Sequence, residues 1–169
     1  MKTVKKVLAL IDATSSWIGK VVSILSLVVA FIIGYEIIMR EFFVKPTVWV
    51  AEATVFGCGL LYMLGGAWTL LQDHHVRVDM LYHGLSRRGK ALVDCLTYFA
   101  FLLYIGVMIW AFWAYVAESV RLRETTMTPW DPPLWPLKIA MFVSLIMLLL
   151  QQTAKFVRDL YYIIKGEEL

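Results

Sequence analysis

Hydrophobic residues in this chain fall into long runs separated by short polar connections. The stretches Val21 to Tyr35, Ala53 to Gln72, Cys95 to Ala117 and Ile139 to Ala154 contain no Asp, Glu, Lys, Arg or His. A helix rising 1.5 Å per residue needs about 20 apolar residues to cross a hydrocarbon core of about 30 Å. The pattern therefore predicts an all-α integral membrane protein with transmembrane helices over 17–39, 48–71, 91–117 and 134–156. The third is long enough to require tilt or emergence from the bilayer. Shorter amphipathic pieces flank the spans. Val4, Val7, Leu8, Ile11 and Ile18 share one helical face opposite Lys2, Lys5 and Lys6, so 1–16 reads as an N-terminal interfacial segment. Val78, Leu81, Tyr82 and Leu85 predict an interfacial helix over 74–85, and 157–169 continues a helical stripe as a C-terminal cytoplasmic segment.

Composition agrees with a single membrane domain over 1–169. Of its 169 residues 60% are hydrophobic and 17% charged, against about half and a quarter in soluble domains. The lysines near the start resemble a signal peptide, but Asp12 interrupts the apolar run and no small-residue cleavage site follows, so the segment is expected to be retained. Lys and Arg divide eleven to five between the two sides: Lys2, Lys5, Lys6, Lys20, Arg77, Arg87, Arg88, Lys90, Lys155, Arg158 and Lys165 against Arg40, Lys45, Arg121, Arg123 and Lys138. The positive-inside rule then puts both termini in the cytoplasm. The net charge of +3 is thus a topology signal rather than a nucleic-acid footprint. Trp17 and Trp68 fall near the expected inner ends, and Trp49, Trp110, Trp113, Trp130 and Trp135 near the outer ends, where indoles prefer to sit.

Polar chemistry concentrates in the connections. Glu36 and Arg40 are one turn apart in the order that favours a helical ion pair, and Glu52 sits in the opening turns of the next span. The three can meet near the outer interface, as a clamp on the first hairpin or as a site for an external cation or partner protein. Thr47 is expected to cap the second span and Ser86 the third. Gly59 and Gly66 lie two turns apart on one face with Gly65 beside it, and small residues let another helix approach closely in lipid. The neighbour can be a span of this chain or a second protein. Four of the five prolines stiffen the outer connection TTMTPWDPPLWP.

Several chemistries are disfavoured. His74, His75 and His83 share one loop, whereas a four-helix haem subunit needs axial histidines inside its spans. His74, His75 and Asp79 have metal-ligand chemistry at loose spacing, so no metal site is expected. Cys58 and Cys95 form no CxxC pair. No catalytic constellation can be read, so the chain is expected not to be an enzyme. Intramembrane charges usually mark transport sites, and the empty spans favour a subunit of a larger assembly over a self-sufficient small transporter working as an oligomer.

The segments YEIIMREFF at 35–43, PTVWVAE at 46–52, LGGAWTLLQDHHVRVDMLY at 64–82 and PPLWPLKIAMFVSLIMLLLQ at 132–151 together resemble one family. It is the small membrane subunit, the Q or DctQ-type component, of tripartite ATP-independent periplasmic (TRAP) transporters. The resemblance runs through nearly the whole chain. In one place it departs, since Ala51 precedes Glu52 where the family often has two consecutive acids. The resemblance implies a system in which a periplasmic substrate-binding protein captures an organic anion, commonly a carboxylate. A large membrane subunit carries the substrate and sodium sites and moves as an elevator. The small subunit widens the static scaffold in a bacterial inner membrane. It implies no cofactor and no substrate-binding residue in this chain, sodium being held by the partner, with membrane lipids at the interface. Glu36, Arg40, Trp49, Glu52, Gly59, Gly65, Gly66, His75, Arg77 and Asp79 are then structural or interface candidates, Arg77 with Asp79 ordering the cytoplasmic turn.

Overall fold

The structure is a computed structural model that describes residues 2–72, 74 and 84–167. Most of the expected helix over 74–85, including His75, Arg77 and Asp79, lies outside the described residues. The runs of the sequence form α1 (Lys2–Glu41), α2 (Val50–Leu71), α3 (Arg87–Leu122) and α4 (Trp135–Lys165). All four are long and apolar enough to cross a membrane.

The helices extend beyond the expected spans. α1 is one unbroken helix of 40 residues, about 60 Å at 1.5 Å per residue, twice the hydrocarbon thickness. From Lys2 onward no break separates the expected N-terminal segment from the span. No Pro occurs in this stretch, its glycines come only at Gly19 and Gly34, and the apolar face of Val4, Val7, Leu8 and Ile11 runs on along the same helix. α4 likewise continues without interruption through the expected C-terminal segment to Lys165, where Gly166 ends it in the left-handed conformation. Ser86 caps α3 as expected, its hydroxyl accepting from the Gly89 amide at 3.3 Å. Thr47 does not cap α2: the N-cap position is Trp49, with no side-chain bond, because Thr47 is engaged by Glu36.

The helices form an open layer rather than a closed bundle. α1 lies antiparallel on α2, α2 runs beside α4, and α3 lies antiparallel on α4; α1 also touches α4, whereas α3 packs extensively on α4 alone. α4 is therefore the spine. It carries the buried Ser144, Met147, Gln151 and Ala154 along its length. Large apolar side chains such as Phe31, Tyr62, Leu103 and Trp110 stand exposed on the outer faces. In water such a surface would be unstable, but hydrocarbon solvates it without cost.

Candidate functional site

The helix ends remote from the two chain termini, the expected outer ends, are joined by polar ties. Glu36, one turn before the end of α1, accepts from Arg40 at 3.0 Å through one oxygen. Its other oxygen accepts from the Thr47 amide at 3.2 Å and from the Thr47 hydroxyl. This fixes the loop between α1 and α2 back onto α1. The expected ion pair is present, but Glu52 does not join it. Glu52 instead accepts from the Thr126 hydroxyl at 3.1 Å, and Thr126 shares a second bond with Thr128 at 2.8 Å. The expected three-residue clamp is therefore two separate ties. One closes the first hairpin, and the other links α2 to the loop over 123–134.

That loop is itself built. Asp131 accepts from the Met127 amide at 2.9 Å, and Leu134 donates to the Glu124 carbonyl at 2.8 Å. Arg123, Met127 and Asp131 adopt left-handed φ values of 48°, 54° and 50°. For side-chain-bearing residues this conformation is costly, so the surrounding bonds must hold it. Pro132 contributes through its carbonyl, which accepts from the Thr126 amide at 3.2 Å. Trp49 connects the two outer loops: its ring stacks on Tyr35 at 6.1 Å and meets Trp130 at 6.3 Å. At the start of α4, the buried Lys138 ammonium pairs with Glu124 and lies 3.6 Å from the centre of the Tyr115 ring. The donation from Lys138 holds the Glu124 carboxyl below its usual range.

Between α1 and α2 at this end is a cleft of about 390 Å³ bordered by Glu36, Arg40, Thr47, Val50, Ala51 and Thr54. The Glu36 carboxylate beside it already serves Arg40 and Thr47, and Glu52 points to another loop. Among the described residues no group of three or more His, Cys, Asp or Glu is placed to hold a metal ion. The arrangement is suited to holding helices and loops in register.

The opposite end carries polar ties that the sequence reading missed. Buried Gln151 accepts from the Ser15 hydroxyl at 2.9 Å and donates to Asp12 at 3.0 Å. Arg158 donates to the other Asp12 oxygen. Lys155 and Asp94 pair at 2.8 Å, and the Arg87 guanidinium lies 4.8 Å from the Tyr162 ring centre. Asp12 and Gln151 were visible as polar residues in apolar surroundings. Their partnership, 139 residues apart in sequence, was not.

The glycines divide by what stands opposite them. A Cβ on Gly19 would collide with the Trp68 ring, and one on Gly57 would come within 2.5 Å of Val29. These two positions let α1 and α2 meet closely. Gly59 and Gly65 have nothing within 4 Å of where a Cβ would lie, and Gly66 has only Leu148 at 3.9 Å. Gly66 thus borders α4, whereas Gly59 and Gly65, with exposed Val55 and Tyr62, lie where α2 is left open among the described residues.

No curated protein sequence and no solved structure matches the chain significantly. A family model described as Tripartite ATP-independent periplasmic transporters, DctQ component, matches residues 29–161, more than three quarters of the chain. That region contains α2, α3, most of α4 and the last third of α1, including both outer ties and the open part of α2. The chain therefore belongs to the DctQ family, as the small membrane component of a TRAP transporter, a transport subunit and not a member of an enzyme family.

Proposed function

We propose that this chain is the static scaffold of a sodium-coupled TRAP transporter for organic anions, most naturally carboxylates, and supports the movement of an elevator-type large membrane subunit. The observation that carries this reading is where the polar groups go. The ion pairs and interhelical hydrogen bonds described above lie toward the ends of the expected spans and tie helix to helix or loop to helix. The middle of each span has none of the charged groups that transport chemistry uses. A carrier that moved substrate by itself would need polar or broken helices near its midplane, and these helices are continuous. Substrate and sodium then bind to the partner subunit.

The open part of α2 around Gly59 and Gly65 is the surface on which the large subunit packs, because small residues admit close backbone approach in lipid. A periplasmic substrate-binding protein completes the system. The excess of Lys and Arg on the side of the chain ends supports a bacterial inner-membrane protein with both termini in the cytoplasm.

Mild-detergent co-purification with the large subunit, followed by sodium-dependent uptake with each component omitted in turn, tests the reading. Uptake should require all three components. Uptake by this chain alone would overturn it in favour of a self-sufficient oligomeric transporter. Gly59→Leu should reduce co-purification of the large subunit while leaving the isolated chain folded; unchanged co-purification would remove α2 from the interface.

A further inference from the structure

We propose that the groove between the first turns of α1 and the inner half of α4 binds one acyl chain of an anionic phospholipid, drawn from the leaflet on the side of the two chain ends. The groove has a volume of about 370 Å³ and is bordered by Val4, Val7, Ile11, Leu150, Thr153 and Val157. Leu8 and Ala154, both buried, also border it. Between Thr3 and Ile11 it follows α1 for about 12 Å, a length suited to the extended stretch of a hydrocarbon chain.

Its chemistry is apolar even at its threonine. The Thr153 hydroxyl is 2.7 Å from the Leu149 carbonyl, to which it donates, and 3.0 Å from the Tyr98 hydroxyl. Those contacts engage the hydroxyl with α3 and its own helix, leaving the rest of the side chain for the groove. Water there would lack the two to four polar partners that an ordered molecule needs. Val4 and Val7 remain 45% and 52% exposed, so apolar surface is left for an occupant to cover.

The groove is also prevented from collapsing. The Ser15–Gln151–Asp12–Arg158 chain of hydrogen bonds sets the spacing of α1 and α4 beside it. Charge selects the occupant. Lys2, Lys5 and Lys6 do not border the groove; they are exposed on the other side of the same first turns of α1, from which their long stems can bring the ammonium groups to the headgroup level above it. The first acid in the chain, Asp12, is already bound by Arg158 and Gln151. A phosphate at the mouth of the groove therefore meets net positive charge.

Native mass spectrometry of the full chain, purified from mixed micelles of equal phosphatidylglycerol and phosphatidylcholine, reads the site directly. One retained phospholipid is expected, with phosphatidylglycerol favoured by about fivefold or more, the effect of a single lysine near an anionic lipid surface. Val7→Trp, which fills the groove, should abolish retention with helicity by circular dichroism unchanged. Joint Lys2→Gln, Lys5→Gln and Lys6→Gln substitution should keep the lipid and erase the headgroup preference. No retained lipid, or equal retention in folded Val7→Trp, would overturn the proposal. A photoreactive residue at position 7 in native membranes gives an independent readout: labelling of phospholipid supports the site, and labelling of a protein chain means a partner helix fills the groove instead.

Discussion

The two hairpins of this protein are held by different physics. α1 and α2 meet through the absence of side chains, at Gly19 against the Trp68 ring and Gly57 against Val29. α3 and α4 meet through aromatic and ionic groups. Tyr98 stacks on Phe156 at 4.2 Å, Trp113 packs on Phe142 at 5.6 Å, and Lys138 and Lys155 pair with Glu124 and Asp94. Helix association in lipid gains nothing from expelling water from apolar surfaces, so it must rely on close van der Waals fit or on polar bonds. One hairpin uses mainly the first and the other adds the second. The first should therefore be sensitive to volume and the second to chemistry and pH.

The strongest test adds a single methyl. Gly19→Ala requires the Trp68 ring to move, and overpacking of this kind costs about 1–3 kcal/mol. Denaturation of the purified chain in mixed micelles should show that loss, and Trp68→Leu in the same chain should recover part of it. Gly59→Ala, with open space around it, should leave the same curve unchanged or slightly stabilised. Equal effects at both positions would mean that shape does not distinguish the faces of α2.

On the other hairpin, Tyr98→Phe keeps the stack on Phe156 and removes only the hydroxyl contact with Thr153. Interhelical hydrogen bonds in lipid average about 0.6 kcal/mol, so a loss near that size is expected, and a loss of several kcal/mol would place the main tie here rather than in the rings.

Acid tests the ionic tie of the second hairpin. The folded-state pKa of Glu124 is depressed chiefly by the hydrogen bond from Lys138. A lowered folded pKa contributes stability that is present above the unfolded carboxylate value and is lost as pH falls through the folded one. Wild type should exceed Glu124→Gln in thermal midpoint at neutral pH, and the gap should close as the solution is acidified below about pH 4. A gap independent of pH would mean that the pair acts through packing alone.

The smallest effect is expected at Arg40. Its side chain is 64% exposed, and the exposed pair with Glu36 contributes little by itself. Glu36 retains both bonds from Thr47 without it. Arg40→Ala should produce a slight loss of stability or assembly and no selective change in the sodium dependence of uptake. A selective change would move a sodium-linked role onto this chain.

Much of the fold was legible because membrane spans are written in one dimension. Runs free of charge gave the four helices, and the Ser86 cap and the Glu36–Arg40 pair are local in sequence. The partner of Glu52 was not legible, since Thr126 is 74 residues away and several outer-loop hydroxyls had equal claims. The working glycines escaped for a related reason. A glycine matters by what stands opposite it, and the regular spacing of Gly59 and Gly66 says nothing about whether a neighbour is present.

Sequence alone determined that this protein is a multi-pass membrane protein whose helices are charge-free at their centres, because the hydrocarbon core admits long apolar helices on the evidence of composition and length. Tertiary structure decided that the helices form an open layer with α4 as spine, and which polar residues tie it together. Those outcomes depend on side chains far apart in the chain meeting at a few ångströms, and no local pattern encodes that distance.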